Sequence, residues 1–140
     1  MVAEPEEDPA AVGQDLLPAA DVEHLRHRGL RFHAVIEGNF VALVIYDYPL
    51  PVGYDHDKVD LLIMLPAPGW PDVKADMWWT LPWVKVSKTN ALPDGAATKQ
   101  PFGGEIWQRW SRHSSKWRPG IDGLATFLGQ VNTEFLKAVA

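Results

Sequence analysis

Hydrophobic positions recur along this chain with two different periods, and each period predicts an element. Toward residue 140, Ile121, Leu124, Leu128, Val131, Phe135 and Val139 are spaced by three or four residues. That spacing lines them up on one side of an α-helix, whose apolar face must pack on something. Residues 22–28 form a shorter candidate helix, with Val22, His24 and Leu25 on roughly one side. Asp21 is placed to cap its start and Gly29 to stop it.

Between the two helices the period shortens. Residues 30–37 are rich in β-formers, Gly38-Asn39 supplies a two-residue turn, and residues 40–46 are an unbroken apolar run. Together they predict a β-hairpin. Residues 47–58 carry Pro49, Pro51 and Gly53 and read as a loop before another apolar strand at 59–65. Pro66, Pro68 and Pro71 then impose an extended, stiff path, because proline fixes φ and removes a ladder donor. A fourth strand is predicted at 77–80, running on toward Val86. Residues 87–104 turn polar and glycine-rich around Pro93-Asp94-Gly95, which predicts a long loop of a kind that often carries function. Strands grouped ahead of a helix predict an α+β fold, an antiparallel meander sheet of about four strands with a short N-terminal and a long C-terminal helix.

Charge changes this picture at one end. Residues 1–23 hold seven acids and no lysine or arginine, leaving thirteen bases against eleven acids in the rest of a chain whose net charge is −5. An Ala-, Pro- and acid-rich stretch buries too little apolar surface to offset its ordering entropy. We therefore expect a disordered acidic leader at 1–20 and one domain at 21–140, a size at which a single core needs no disulfide or metal. The chain has no cysteine, which excludes disulfides, thiolate zinc sites and a thiol nucleophile, and fits a reducing compartment. No apolar run reaches the roughly 18 residues of a membrane span, and no basic segment leads into an apolar one. A cytoplasmic location without membrane contact is the expectation.

The string VDLLIMLPAPGWPDVKADMWW resembles the strand, the Pro-x-x-x-aromatic-Pro turn and the next strand of the ubiquitin-conjugating fold, with Trp70 where tyrosine is usual. The string IWQRWSRHSSKWRPGIDGLATFL, running into the last helix, is similar to a prokaryotic ubiquitin-conjugating-like family, family E. The likeness spans residues 30–140, and WQRWSRH and WRPGIDGL are its most specific parts. It implies the ubiquitin-conjugating-enzyme (UBC-like) fold and work in a bacterial ubiquitin-like conjugation pathway. It also implies two partners, a ubiquitin-like modifier and the adenylating activating enzyme of the same pathway. The chain departs from the standard enzyme in two ways. It has no His-Pro-Asn tripeptide, and Trp107 stands where the nucleophilic cysteine would fall after GGEI. A thioester cannot form on it.

The densest chemistry lies in residues 105–118, where Arg109, Arg112, Lys116 and Arg118 face one acid and are interleaved with Trp107, Trp110, Trp117 and His113. Guanidinium forks bind carboxylates two-pronged and tryptophan offers a flat contact face, so Trp107, Arg109, Trp110, Arg112, Trp117 and Arg118 are candidates to hold the carboxylate tail of a modifier. The plainer alternative makes the tryptophans core and the arginines solvated or stacked on them. Ser111 and His113 are two apart, so on an extended segment they point the same way and the imidazole could activate the hydroxyl for an ester in place of a thioester. Asp94 and Asp122 are the candidate third members. The plainer alternative has His113 bonding a backbone carbonyl and Ser111 capping a turn.

Other readings are weaker. His24, His27 and His33, and the triplet Asp55-His56-Asp57, lack the spacing of a metal site, so no metal and no cofactor is expected. Gly103-Gly104 lacks the Lys-Ser/Thr of a phosphate loop and reads as a hinge. Basic residues among aromatics also suit a single-stranded nucleic acid, but the net charge of −5 and one short patch argue against it. A pure assembly module is the remaining alternative.

Overall fold

The apolar runs become the spine of a sheet. In the computed structural model, which describes residues 12–113 and 116–140, β1 (Phe32–Glu37) and β2 (Phe40–Pro49) form the expected hairpin. Glu37 pairs with Phe40 across the turn, and Gly38 takes a φ of 60°, the conformation a tight hairpin asks of glycine at its first turn position. β3 (Lys58–Pro66) and β4 (Trp78–Leu81) follow, each antiparallel to the strand before it. β4 stops at Leu81 and does not reach Val86, since Pro82 has no N–H to donate.

Among the described residues the sheet has six strands, not about four. β5 (Thr98–Phe102) forms inside the segment expected to be loop, and β6 (Glu105–Trp110) forms from the tryptophan-arginine block. Gly103-Gly104 is their turn rather than a hinge, with both residues at positive φ, 60° and 82°. The order is β1-β2-β3-β4-β6-β5, all antiparallel. Only the first four strands meander in sequence order. The chain then passes to the far edge to lay down β5 and returns as β6 beside β4.

α1 (Ala19–His27) and α2 (Leu124–Ala138) pack on one face of this sheet. The face of α2 is Leu124, Phe127, Leu128, Val131 and Phe135, buried against Leu43, Ile45, Leu61, Ile63, Trp78 and Trp110. Each such side chain contributes about 1.5–3 kcal/mol on burial. Ile121 lies before the helix and is exposed, so the periodic stripe runs one turn shorter than its spacing suggests. The other sheet face carries a second apolar cluster, Ala42, Val44, Leu62, Trp79 and Trp107, which no residue of either helix joins.

Two expectations at the N-terminal side change. Asp21 is not the cap of the first helix: α1 begins at Ala19 behind Pro18, and Asp21 is buried within its first turn. Residues 1–11 of the expected leader lie outside the described residues. Its second half is packed, because Leu17 enters the core and Val12 O accepts a hydrogen bond from Ala34 N in β1 at 3.1 Å.

Candidate functional site

Strand alternation divides the tryptophan-arginine block between two faces of the sheet. Trp110 turns to the helices and is fully buried, stacked on Trp78 at 6.3 Å and edge-on to Phe135 at 4.9 Å. Its indole N–H donates to Thr80 Oγ1 at 2.9 Å. Trp107 is buried on the opposite face and donates to Phe102 O at 3.1 Å. Neither ring is a platform on which a base could stack. Arg109 lies on that opposite face too, across from Trp79 in the register.

Gln108, which no sequence signal singled out, holds the loop behind the block. It is fully buried, and its amide N–H groups reach Val84 O at 3.1 Å and Ala96 O at 3.0 Å. Its carbonyl oxygen accepts from Thr80 Oγ1 at 3.0 Å and from Val84 N at 2.9 Å. Both ends of the amide are thereby satisfied in a buried site, where hydrogen bonds specify geometry most strongly.

Beyond β6 the chain runs along α2. Arg112 lies over the Trp110 ring at 5.4 Å and donates through Nε to Glu134 Oε1 at 3.1 Å. Ser111 N donates to Gly95 O at 2.9 Å. His113 Nδ1 bonds Asp76 Oδ1 at 2.8 Å, with both side chains largely exposed. The acid beside the imidazole is thus Asp76, while Asp94 is exposed and Asp122 is engaged by Arg118. Asp76 lies 37 residues away in sequence, so no spacing rule could have found it.

Trp117 and Arg118 serve the joint between the proline turn and α2. Trp117 lies 5.6 Å from Trp70 and donates to Pro71 O at 2.7 Å. The Arg118 guanidinium donates to Asp122 Oδ1 at 2.8 Å and 3.2 Å, and together these contacts hold the Asp122 carboxyl below its usual range. The six candidate binding residues therefore do not share one surface, and of them Arg112 alone faces an open cleft beside His113.

That cleft is a groove of about 270 Å³ between α2 and the chain after β6. Lys74, Trp78, Arg112, His113, Gln130 and Glu134 are among its lining residues. Burial pushes the Lys74 pKa down, against the pull of Asp76, and its ammonium lies 5.0 Å from the Phe127 ring centre. Trp78 Nε1 is buried without a partner among the described residues. The groove thus brings three basic side chains and hydrogen-bonding groups to one concave place. Of the other histidines, His33 bonds Tyr46 OH at 2.5 Å, and burial pushes the pKa of His24 down. Among the described residues no three His, Cys, Asp or Glu side chains gather as a metal would require.

Two helices lie on one face of an antiparallel sheet with a groove beside the second helix, which makes this an α+β protein, and with no cysteine the chain cannot carry a thioester. The chain belongs to prokaryotic E2 family E, whose family model matches residues 17–138. That membership implies the UBC-like fold and suggests a role in a bacterial ubiquitin-like conjugation pathway. Comparison with curated proteins and with solved structures gives no match. Among the described residues no helix is long and apolar enough to cross a membrane.

Proposed function

We propose that the protein is a cysteine-free component of a bacterial ubiquitin-like conjugation pathway that binds the C-terminal tail of the modifier in the groove beside α2 and docks with the adenylating activating enzyme. The observation that carries this reading is the groove itself, where Lys74, Arg112 and His113 converge within about 270 Å³. A tail carboxylate there gains charge-assisted hydrogen bonds, and Gln130 offers an amide to its backbone. Trp117, Arg118, Trp110, Trp107 and Arg109 support that binding through the frame they build. Titrating the protein calorimetrically with the modifier tests this: the full modifier binds, one lacking its last residues does not, and Lys74→Met with Arg112→Met weakens binding about tenfold or more. Equal binding of the truncated modifier would overturn it.

A second reading is favoured by the His113–Asp76 pair. With Nδ1 taken by Asp76, the other imidazole nitrogen is left to accept the Ser111 hydroxyl proton. Ser111 Oγ then forms an ester bond to the modifier's terminal carbonyl as the bond to the activating enzyme's thiol breaks, and the proton passes through His113 to the departing thiolate. Incubation with activating enzyme, modifier and ATP would yield an adduct that resists thiols, is cleaved by hydroxylamine and is absent in Ser111→Ala.

A further inference from the structure

The chain has seven lysines, and six of them are exposed. The seventh, Lys74, is half-buried where the chain leaves the proline turn for β4, and it lines the groove beside α2. Its side chain lies against α2, with Nζ 5.0 Å from the Phe127 ring centre and donating to Ala75 O at 2.9 Å. An amine set on an apolar ring at the wall of a groove is placed to react as well as to bind.

Burial holds the Lys74 pKa below its ordinary 10.5, with Asp76 pulling the other way. More of this amine is therefore neutral at a given pH than of an ordinary lysine, and the neutral form is the nucleophile. Asp76 also bonds His113 Nδ1 at 2.8 Å, so the amine and the imidazole line one groove with the same carboxylate beside both. The protonated amine suits the free carboxylate of a modifier tail. A tail activated as a thioester has no such charge, and its carbonyl carbon comes to lie where the carboxylate carbon lay, beside Nζ. Holding the two reacting atoms together makes the step intramolecular.

We infer that Lys74 is the acceptor of the modifier in this cysteine-free protein, taking the tail from a thioester on the activating enzyme as an amide on Nζ. The inference rests on the reading that the tail lies in the groove beside α2. The Nζ lone pair attacks the thioester carbonyl, the C–N bond forms and the C–S bond breaks. The proton shed by nitrogen passes through the other nitrogen of His113 to the departing thiolate. Arg112, in the same groove, meets the charge that builds on the carbonyl oxygen. The product is an amide, which resists hydroxylamine where an ester on Ser111 does not.

The test offers the whole chain a synthetic tail, acetyl-Ala-Ala-Ala-Gly as its mercaptoethanesulfonate thioester, and maps acylated lysines by mass spectrometry after hydroxylamine treatment. Lys74 is acylated about tenfold faster than the exposed lysines, and the preference disappears in urea, where the groove is gone. The same peptide as a free acid protects Lys74, and its C-terminal amide does not. Lys74→Arg removes the fast site while the exposed lysines keep their rates, with the thermal midpoint reporting an intact fold. Site mapping on the parent decides the matter should that variant fail to fold. Protection by the free acid without preferred acylation of Lys74 overturns the inference and leaves the tail reading in place, as does a preference that survives in urea. Absence of protection by the free acid overturns the tail reading and the inference with it.

Discussion

The carboxylate of Asp21 accepts the indole N–H of Trp70 at 2.8 Å. Its other oxygen takes the backbone N–H of Leu124 at 3.3 Å. A residue inside α1 therefore closes the N-terminus of α2, where Gly123 brings no capping side chain of its own. Negative charge is favourable at that end of a helix. One side chain joins both helices to the proline turn, and each end of the arrangement is remote in sequence from the other.

Asp21→Ala removes this joint and is expected to cost about 2–3 kcal/mol, measured by urea unfolding. Burial raises the pKa of Asp21 above its ordinary 3.8, although the bonds from Trp70 and Leu124 pull it down. The folded protein thus holds this proton more tightly than the unfolded chain does. The resulting stability is full below 3.8 and is lost as pH rises through the folded value. Asp21→Asn flattens that part of the profile of thermal midpoint against pH. Parallel profiles for the parent and Asp21→Asn would show that another group sets the slope.

Gln108→Leu keeps the side-chain volume roughly but strands Thr80 Oγ1, Val84 N and O and Ala96 O, the four partners of the amide. The expected loss is about 2–4 kcal/mol, since several buried polar groups lose their partners at once. Protease cleavage between residues 82 and 97 should rise in the same variant, because that stretch loses its tie to β6.

Gly95 has a φ of 72°, and a methyl group built on it would lie 2.8 Å from Arg112 Nη1. Gly95→Ala combines a strained backbone with a shifted guanidinium and is expected to cost about 1–2 kcal/mol. Affinity for the modifier tail should fall along with stability. A variant that loses stability yet binds the tail unchanged would separate Arg112 from the groove.

Asp76→Asn is expected to leave stability within about 0.5 kcal/mol of the parent, because exposed pairs contribute little. The side chains of His113 and Asp76 are 66% and 63% exposed. Any hydroxylamine-sensitive adduct should nevertheless form more slowly, because the imidazole loses the acid that orients it. A large drop in the thermal midpoint would instead make the pair a structural tie.

The hairpin, the apolar strand after it, the proline turn and the final helix were all legible in the chain because their signals are local: a period, a two-residue turn, a run of prolines. β5 was not. Its residues, Thr98-Lys99-Gln100-Pro101-Phe102, do not alternate, and Lys99 and Pro101 disfavour a strand; they are extended because β6 supplies hydrogen-bonding partners. The block from Glu105 to Arg118 stood out by composition, yet its division over two faces followed only once residues 105–110 proved to be a strand.

The order of apolar and polar residues was enough to specify an α+β chain with its hairpin, proline turn and closing helix, because periodicity and turn chemistry act over a few neighbours. Which side chains share a groove depends on pairing between distant strands. Asp76 reaches His113, Glu134 reaches Arg112 and Asp21 reaches Leu124 only after the sheet and helices have packed. Those contacts arise from burying one apolar face against another, a property of the assembled layers that no short stretch of chain carries.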